Sequence, residues 1–203
     1  MTPREWNRAR TELAGRDPVL ARLMATLPAS RRLQPRDDPF TALARSIVGQ
    51  QISVKAASSV WERLLSTVPE FCPAALAEAR VEALRACGLS RQKVAYLQSL
   101  AEHFHLRRLD PLRWRELDDE GVVTELTSVK GIGRWTAQMF LIFHLQRPDV
   151  LPLGDLGLQR AVSLHYNRGR KVTEARMQRI AQPWAPWRSV ATWYLWRSLD
   201  GEG

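Results

Sequence analysis

Three times in this chain an aspartate is followed directly by proline, at Asp17-Pro18, Asp38-Pro39 and Asp110-Pro111. Each pair reads as the start of a helix. Proline's fixed φ suits the first helical position, where an N–H would have no partner, and the aspartate ahead of it accepts from the amides of the first turn. Behind the second pair, Phe40, Leu43, Ala44, Ile47 and Val48 recur at helical spacing and form one apolar face. The same signals predict helices from Asp17 to Leu27, from Val54 to Ser66 behind Ser53, from Val81 to Ala86 ahead of Gly88, and from Ser90 to about Leu106. A helix is also expected to start at Asp110-Pro111, and others to run over Glu120 to Ser128, Arg134 to Leu145, Leu156 to Tyr166, Thr173 to Gln182 and Pro186 to Leu199. No alternating run is long enough for a sheet.

The expected fold is therefore all-α, a two-lobed helical body with a cleft between its lobes. Residues 1–203 are expected to form one compact domain, with a central lobe over about 38–147 and a second lobe from about 1–37 plus 148–203. The Pro148 to Asp155 break would cross between them. A chain of 203 residues buries about 70% of its extended surface, enough for a core without staples. Two cysteines, Cys72 and Cys87, cannot supply the four ligands of an iron-sulfur cluster, and a disulfide is not expected. No stretch is apolar enough to span a membrane, and the charged N-terminus lacks the apolar core of a secretion signal. A cytoplasmic protein is expected.

The net charge is +9, carried by arginine with only Lys55, Lys93, Lys130 and Lys171 as lysines. Arginine's planar fork suits phosphate, so the partner class is anionic and nucleic acid heads it. The loop from Ala29 to Asp37, with Arg31, Arg32 and Arg36, is one expected basic segment.

One turn narrows this further. Val129-Lys130-Gly131-Ile132-Gly133 links an apolar helix end at Leu126 to the helix from Arg134. Both glycines are expected to permit positive φ and a close approach of backbone to ligand, while the first amides of the following helix face an anion with the helix dipole behind them. Leu126, Val129, Ile132, Ala137 and Phe140 fall at the spacing that packs two short helices together. The segment 126–145 reads as a helix-hairpin-helix. Shortly after it, Asp155 follows Leu151-Pro152-Leu153-Gly154, a position that by itself describes an N-cap. Tryptophan is used 8 times, with Trp135, Trp184, Trp187, Trp193 and Trp196 in the C-terminal part. A phosphate grip, stacking surfaces and one carboxylate are what chemistry on an extruded base requires.

These residues carry a family resemblance. The run from Val129 to Ala137, then Leu151-Pro152-Leu153-Gly154-Asp155-Leu156-Gly157-Leu158, then Pro186-Trp187-Arg188-Ser189 with Trp196, together with Ile47-Val48-Gly49-Gln50-Gln51-Ile52-Ser53, resembles the alkylbase (DNA-3-methyladenine, type II) glycosylases of the helix-hairpin-helix glycosylase superfamily. The resemblance covers roughly residues 38 to 199. It implies the compact form of that fold, without an N-terminal β-domain.

Position by position, the resemblance implies that Asp155 is catalytic, that Trp135 and Trp196 are walls of a base pocket and that Met139 lines it. Gln51 falls where the family fills the gap left by a flipped nucleotide, and Gly131, Gly133 and Thr136 fall on the amides that hold a phosphate. Gly154 stands where many members carry an acid. The implied reaction is hydrolysis of the N-glycosidic bond of an alkylated purine flipped out of double-stranded DNA. It belongs to base excision repair and leaves an abasic site. Bifunctional members carry a lysine two residues after the second hairpin glycine; here that residue is Trp135, so no lyase step is expected. No cofactor is required, although a Na+ or K+ ion held by the carbonyls of Thr127, Val129 and Ile132 is compatible with the family. A monomer is expected, at the nucleoid if the chain is bacterial. Two other readings stay open at this point: a glycosylase for oxidised, deaminated or mismatched bases, and a DNA-binding module without chemistry. The bland roles are also defined, with Gln50 and Gln51 ending a helix, Ser53 capping the next, and His103 and His105 on different helix faces.

Overall fold

The computed structural model describes residues 1–26, 32–34 and 38–200. Among these the fold is all-α, with no strand. The helices are α1 (Pro3–Arg16), α2 (Pro18–Ala25), α3 (Pro39–Gly49), α4 (Val54–Thr67), α5 (Pro73–Glu78), α6 (Val81–Ala86), α7 (Arg91–His105), α8 (Asp119–Thr127), α9 (Arg134–Phe143), α10 (Leu156–Tyr166), α11 (Glu174–Ala181) and α12 (Arg188–Arg197). None of them is long and apolar enough to cross a membrane. Most of the basic loop, and the end expected at Leu27, lie outside the described residues.

The caps read from the sequence form as hydrogen bonds. Asp17 accepts from Val19 and Leu20, Asp38 from Thr41, Ser53 from Ala56, Ser90 from Lys93 and Asp155 from Leu158. Two expectations need correction, and further helices come as additions. Asp110-Pro111 starts no α-helix; Asp110 accepts from the Leu112 amide, and only a single 3-10 turn, Arg113–Arg115, follows. There Trp114 turns inward, and its indole donates to Glu125 at 2.8 Å. The last helix begins at Arg188 rather than Pro186. One addition is α1: most of its residues are polar, and its inward face is only Trp6, Ala9 and Leu13. Its start is a capping box in which Thr2 accepts from the Glu5 amide and Glu5 accepts from Thr2. The six-residue α5 was also unforeseen, too short for periodicity to register.

Two units emerge, Met1–Pro35 with Leu141–Gly203, and Arg36–Phe140. In the first, α12 is central: every residue from Ser189 to Leu195 is buried, and α1, α2 and α10 pack on it. Asp17 fastens this unit. One carboxylate oxygen caps α2, and the other accepts from Tyr166 Oη and Trp184 Nε1, both at 2.8 Å. Four donors stabilise the charge of a side chain that is only 7% exposed. In the second unit, α7 packs on α3, α5 and α6. A chain of ring contacts links Trp61, Phe71, Phe40, Phe104, Trp114 and Phe140, with neighbouring centroids 5.0 to 6.3 Å apart. It ends on α9, so the hairpin helices rest on a continuous aromatic core.

Candidate functional site

The hairpin joins α8 to α9 through Ser128–Gly133, and its five apolar marker residues, Leu126, Val129, Ile132, Ala137 and Phe140, are all buried. The two glycines differ, which corrects their equal treatment from sequence. Gly131 has φ +86°, while Gly133 lies outside the left-handed region. A Cβ on Gly131 would sit 2.6 Å from Tyr96 Cε2 and closer still to Cγ and Cδ2, whereas one on Gly133 would meet nothing within 4 Å. Gly131 thus serves the turn and its packing, and Gly133 leaves open space above the backbone. Helix α9 follows, where the Ala137 amide joins the helical ladder on the Gly133 carbonyl four residues back. The amides of Arg134 and Thr136 come earlier in the helix than this ladder. Thr136 is buried, at 5% exposed. Arg134 pairs with Glu120 on α8, which raises the guanidinium pKa and lowers that of the carboxyl, mainly through their hydrogen bond.

Trp135 is 48% exposed, a large ring left half in solvent. Met139 follows it by one turn and Phe143 by two, so the three share one face of α9. Gln51 is solvent-exposed in the turn between α3 and α4 and adopts φ +58°, a conformation that side chains rarely take. Beside it Ile52 is 40% and Val54 86% exposed. Gln50, dismissed from sequence as a helix end, donates from Nε2 to the Gly131 carbonyl at 2.9 Å.

Asp155 lies in the other unit. It is 7% exposed and has extended backbone at the start of α10. Its Oδ1 accepts from the Leu158 amide at 2.6 Å and from Trp196 Nε1 at 2.7 Å. Charge-assisted bonds of this kind are about twice as strong as neutral ones, and two on one oxygen fix the plane of the carboxylate. Trp196 in turn stacks on Phe143, with centroids 5.4 Å apart and planes 11° from parallel. Gly157 makes this possible, since a Cβ there would be 3.2 Å from both Asp155 Oδ1 and Trp196 Cδ1. Neither Phe143 nor Gly157 was singled out from sequence. The i, i+4, i+8 spacing from Trp135 could have found Phe143; nothing local marks Gly157.

The loop before Asp155 is anchored at both ends. Arg188 holds Asp149 through two guanidinium contacts of 2.8 and 2.7 Å and through its own amide. Ser189 Oγ donates to the Arg147 carbonyl and accepts from the Val150 amide, and the Ser189 amide donates to Pro148. Gln159 Nε2 closes the other end on Leu153. The Pro-Trp-Arg-Ser motif therefore has a structural meaning: it straps the segment that delivers Asp155.

Among the described residues no group of three His, Cys, Asp or Glu side chains could hold a metal. Within the hairpin the Val129 carbonyl accepts from the Ile132 amide and keeps a second lone pair. The expected site residues thus divide into Gln51, Gly131, Gly133, Trp135, Thr136 and Met139 in one unit and Asp155 with Trp196 in the other.

Comparison with known proteins returns a consistent picture. The profile of HhH-GPD superfamily base excision DNA repair proteins matches residues 44–186. The chain is 32% identical over 198 residues to DNA-3-methyladenine glycosylase 1 of Schizosaccharomyces pombe, covering 94% of this chain and 86% of that protein. Its fold superposes on a DNA-3-methyladenine glycosidase from Bacillus halodurans with a TM-score of 0.84, at 35% identity over 95% of this chain and 89% of the other. The S. pombe 3-methyladenine DNA glycosylase Mag1, solved in complex with abasic DNA, gives a TM-score of 0.83 at 30% identity, covering 95% and 96% of the two chains.

Proposed function

This chain belongs to the HhH-GPD superfamily of base excision DNA repair proteins, and on that footing we propose that it is a monofunctional DNA glycosylase for alkylated purines of the 3-methyladenine type. It hydrolyses the N-glycosidic bond of a base flipped out of duplex DNA and leaves an abasic site. The names of its relatives support the substrate class, and Mag1 was captured on abasic DNA, which is what such a reaction yields.

The observation that carries the mechanism is the buried Asp155, whose Oδ1 is held by the Leu158 amide and the Trp196 indole. Breaking the bond between sugar C1′ and the base nitrogen builds positive charge on the sugar, as in glycoside hydrolysis, and a fixed carboxylate stabilises it. The bonding pair leaves with the base. Water adds to C1′, and its proton passes to the Asp155 carboxylate and on to solvent. A purine methylated on a ring nitrogen is already cationic and departs neutral, so no second acid is required. Trp135, Met139 and Trp196 are assigned to the base, where an aromatic face adds about 0.5–2 kcal/mol of cation-π attraction. Gly131, Gly133 and Thr136 present backbone amides to a phosphate, and Gln51 fills the gap in the duplex. The residue two after Gly133 is Trp135, which cannot form a Schiff base, so the strand is left intact. A Na+ or K+ ion on the carbonyls of Thr127, Val129 and Ile132 would steady the turn. The partner is double-stranded DNA carrying a damaged base, engaged by a monomer.

Base release from methylated DNA by the wild type and by Asp155→Asn tests this reading. Asparagine still accepts from Leu158 and Trp196 through its own oxygen, so folding and DNA binding are retained while release falls at least a hundredfold. Equal release from both proteins would overturn the assignment. Strand cleavage before alkali, or an enzyme-DNA adduct trapped by borohydride, would overturn the monofunctional reading.

A further inference from the structure

The turn after α3 contains an unexplained arrangement. Gln50 leaves the helix with ψ 132°, and the next residue, Gln51, is forced to φ +58°. A non-glycine residue persists in that region only where its surroundings hold it. The hold is visible on both sides. Ser53 caps α4 just beyond the turn, and ahead of it Lys93 Nζ donates to the Val48 carbonyl at 2.8 Å, taking up the end of α3. Burial lowers the pKa of that ammonium, as expected of a group drawn off the surface to make this bond. A further contact, longer still in sequence, runs from Gln50 Nε2 to the carbonyl of Gly131, across 81 residues. Gly131 is the hairpin residue at φ +86°, seated against the Tyr96 ring. One amide side chain therefore joins the turn that carries Gln51 to the turn that precedes the phosphate-facing amides.

We propose that Gln50 is a positioning residue that locks the Gln51 turn to the hairpin, so that filling the gap in the duplex and gripping the phosphate act as one rigid unit. This deepens the glycosylase reading and rests on it. Gln50 touches neither base nor sugar in this role. Its effect is felt only where a paired nucleotide must be extruded and its gap held open. A residue that merely stabilised the fold would affect every substrate alike.

The test uses the full chain with Gln50→Leu, which keeps the side chain's bulk but removes the donor, and Gln50→Glu, which turns an acceptor toward the Gly131 carbonyl. Single-turnover release of a methylated purine is measured in a fully paired duplex and in the same sequence with the lesion inside an unpaired bubble. On the paired substrate each variant slows about tenfold, the scale of one hydrogen bond, and in the bubble the change stays within about twofold. Gln51→Ala shows the same dependence on pairing. The double variant Gln50→Leu/Gln51→Ala is no slower than the worse single one, because both remove the same function. Equal loss on both substrates, no loss on either, or additive losses in the double variant would each overturn the proposal. Failure of the wild type to release the base from either substrate would instead overturn the glycosylase reading, and this role with it.

Discussion

The two hairpin glycines look alike in sequence, and replacing each with alanine separates folding from function. Gly131→Ala carries two costs. Holding an L-residue at φ +86° costs about 1–2 kcal/mol. Driving a methyl group into the Tyr96 ring, with Cε2 at 2.6 Å and two ring carbons nearer, adds about 1–3 kcal/mol as the ring is displaced. The variant is therefore destabilised by about 2–5 kcal/mol. At about 3 kcal/mol, a chain of this length melts roughly 6–12 °C lower. Gly133→Ala meets nothing within 4 Å and needs no left-handed backbone, so its stability is unchanged or rises by up to about 1 kcal/mol. Its defect appears on DNA. The methyl group stands where the backbone is proposed to approach a phosphate, and loss of one charge-assisted bond weakens binding roughly ten- to hundredfold. Thermal melts and DNA titrations of both variants are measured in the wild type and in a Tyr96→Ala background. There the cost of Gly131→Ala falls to about 1–2 kcal/mol, the backbone part alone. Gly131→Ala melting with the wild type, an undiminished cost in Tyr96→Ala, or Gly133→Ala melting as low as Gly131→Ala would refute the reasoning.

Trp196→Phe keeps an aromatic ring against Phe143 but removes the indole N–H that holds Asp155 at 2.7 Å. Single-turnover base release should fall tenfold or more, with DNA affinity within about threefold; a loss confined to affinity would reduce Trp196 to a pocket wall. Ser189→Ala strips the Val150 amide of its acceptor at a fully buried position, and urea unfolding should show a loss of about 1–3 kcal/mol, against less than about 0.5 kcal/mol if the strap carries nothing. Tyr166 is held protonated in the fold, first by burial and then by the neighbouring Asp17 charge, well above the ordinary phenol range. A folded pKa above the unfolded one means that its contribution is fully present below pH ~10 and lost as pH rises beyond it, by about 1.4 kcal/mol per pH unit; denaturant titrations at pH 9 to 11 should show this slope, and Tyr166→Phe should flatten it.

Much of the local structure was legible in the sequence because its causes lie within a few residues. Asp17, Asp38, Ser53, Ser90 and Asp155 each bond amides two or three residues ahead, so the starts of their helices could be read directly. Helix α1 was hidden because three inward residues in fourteen leave little apolar contrast. Asp110-Pro111 misled because a cap and a proline can open a single turn as readily as a helix, and the inward seating of Trp114 against Glu125 decided which.

The candidate site divides in the same way. Its residue types and order, the glycine turn, the lone carboxylate and the aromatics, are legible in the chain itself and indicated an all-helical fold with an anionic partner, while the DNA-repair hydrolase was implied by the family resemblance that those residues carry. Only the tertiary structure decided which glycine is bound by conformation and which leaves space, that Trp196 grips Asp155 from 41 residues away while stacking on Phe143, and that Gln50 reaches Gly131 across 81 residues. A cap or a helical face is specified by neighbours in the chain, whereas a donor meets a distant acceptor only once the packing of whole helices has brought them together.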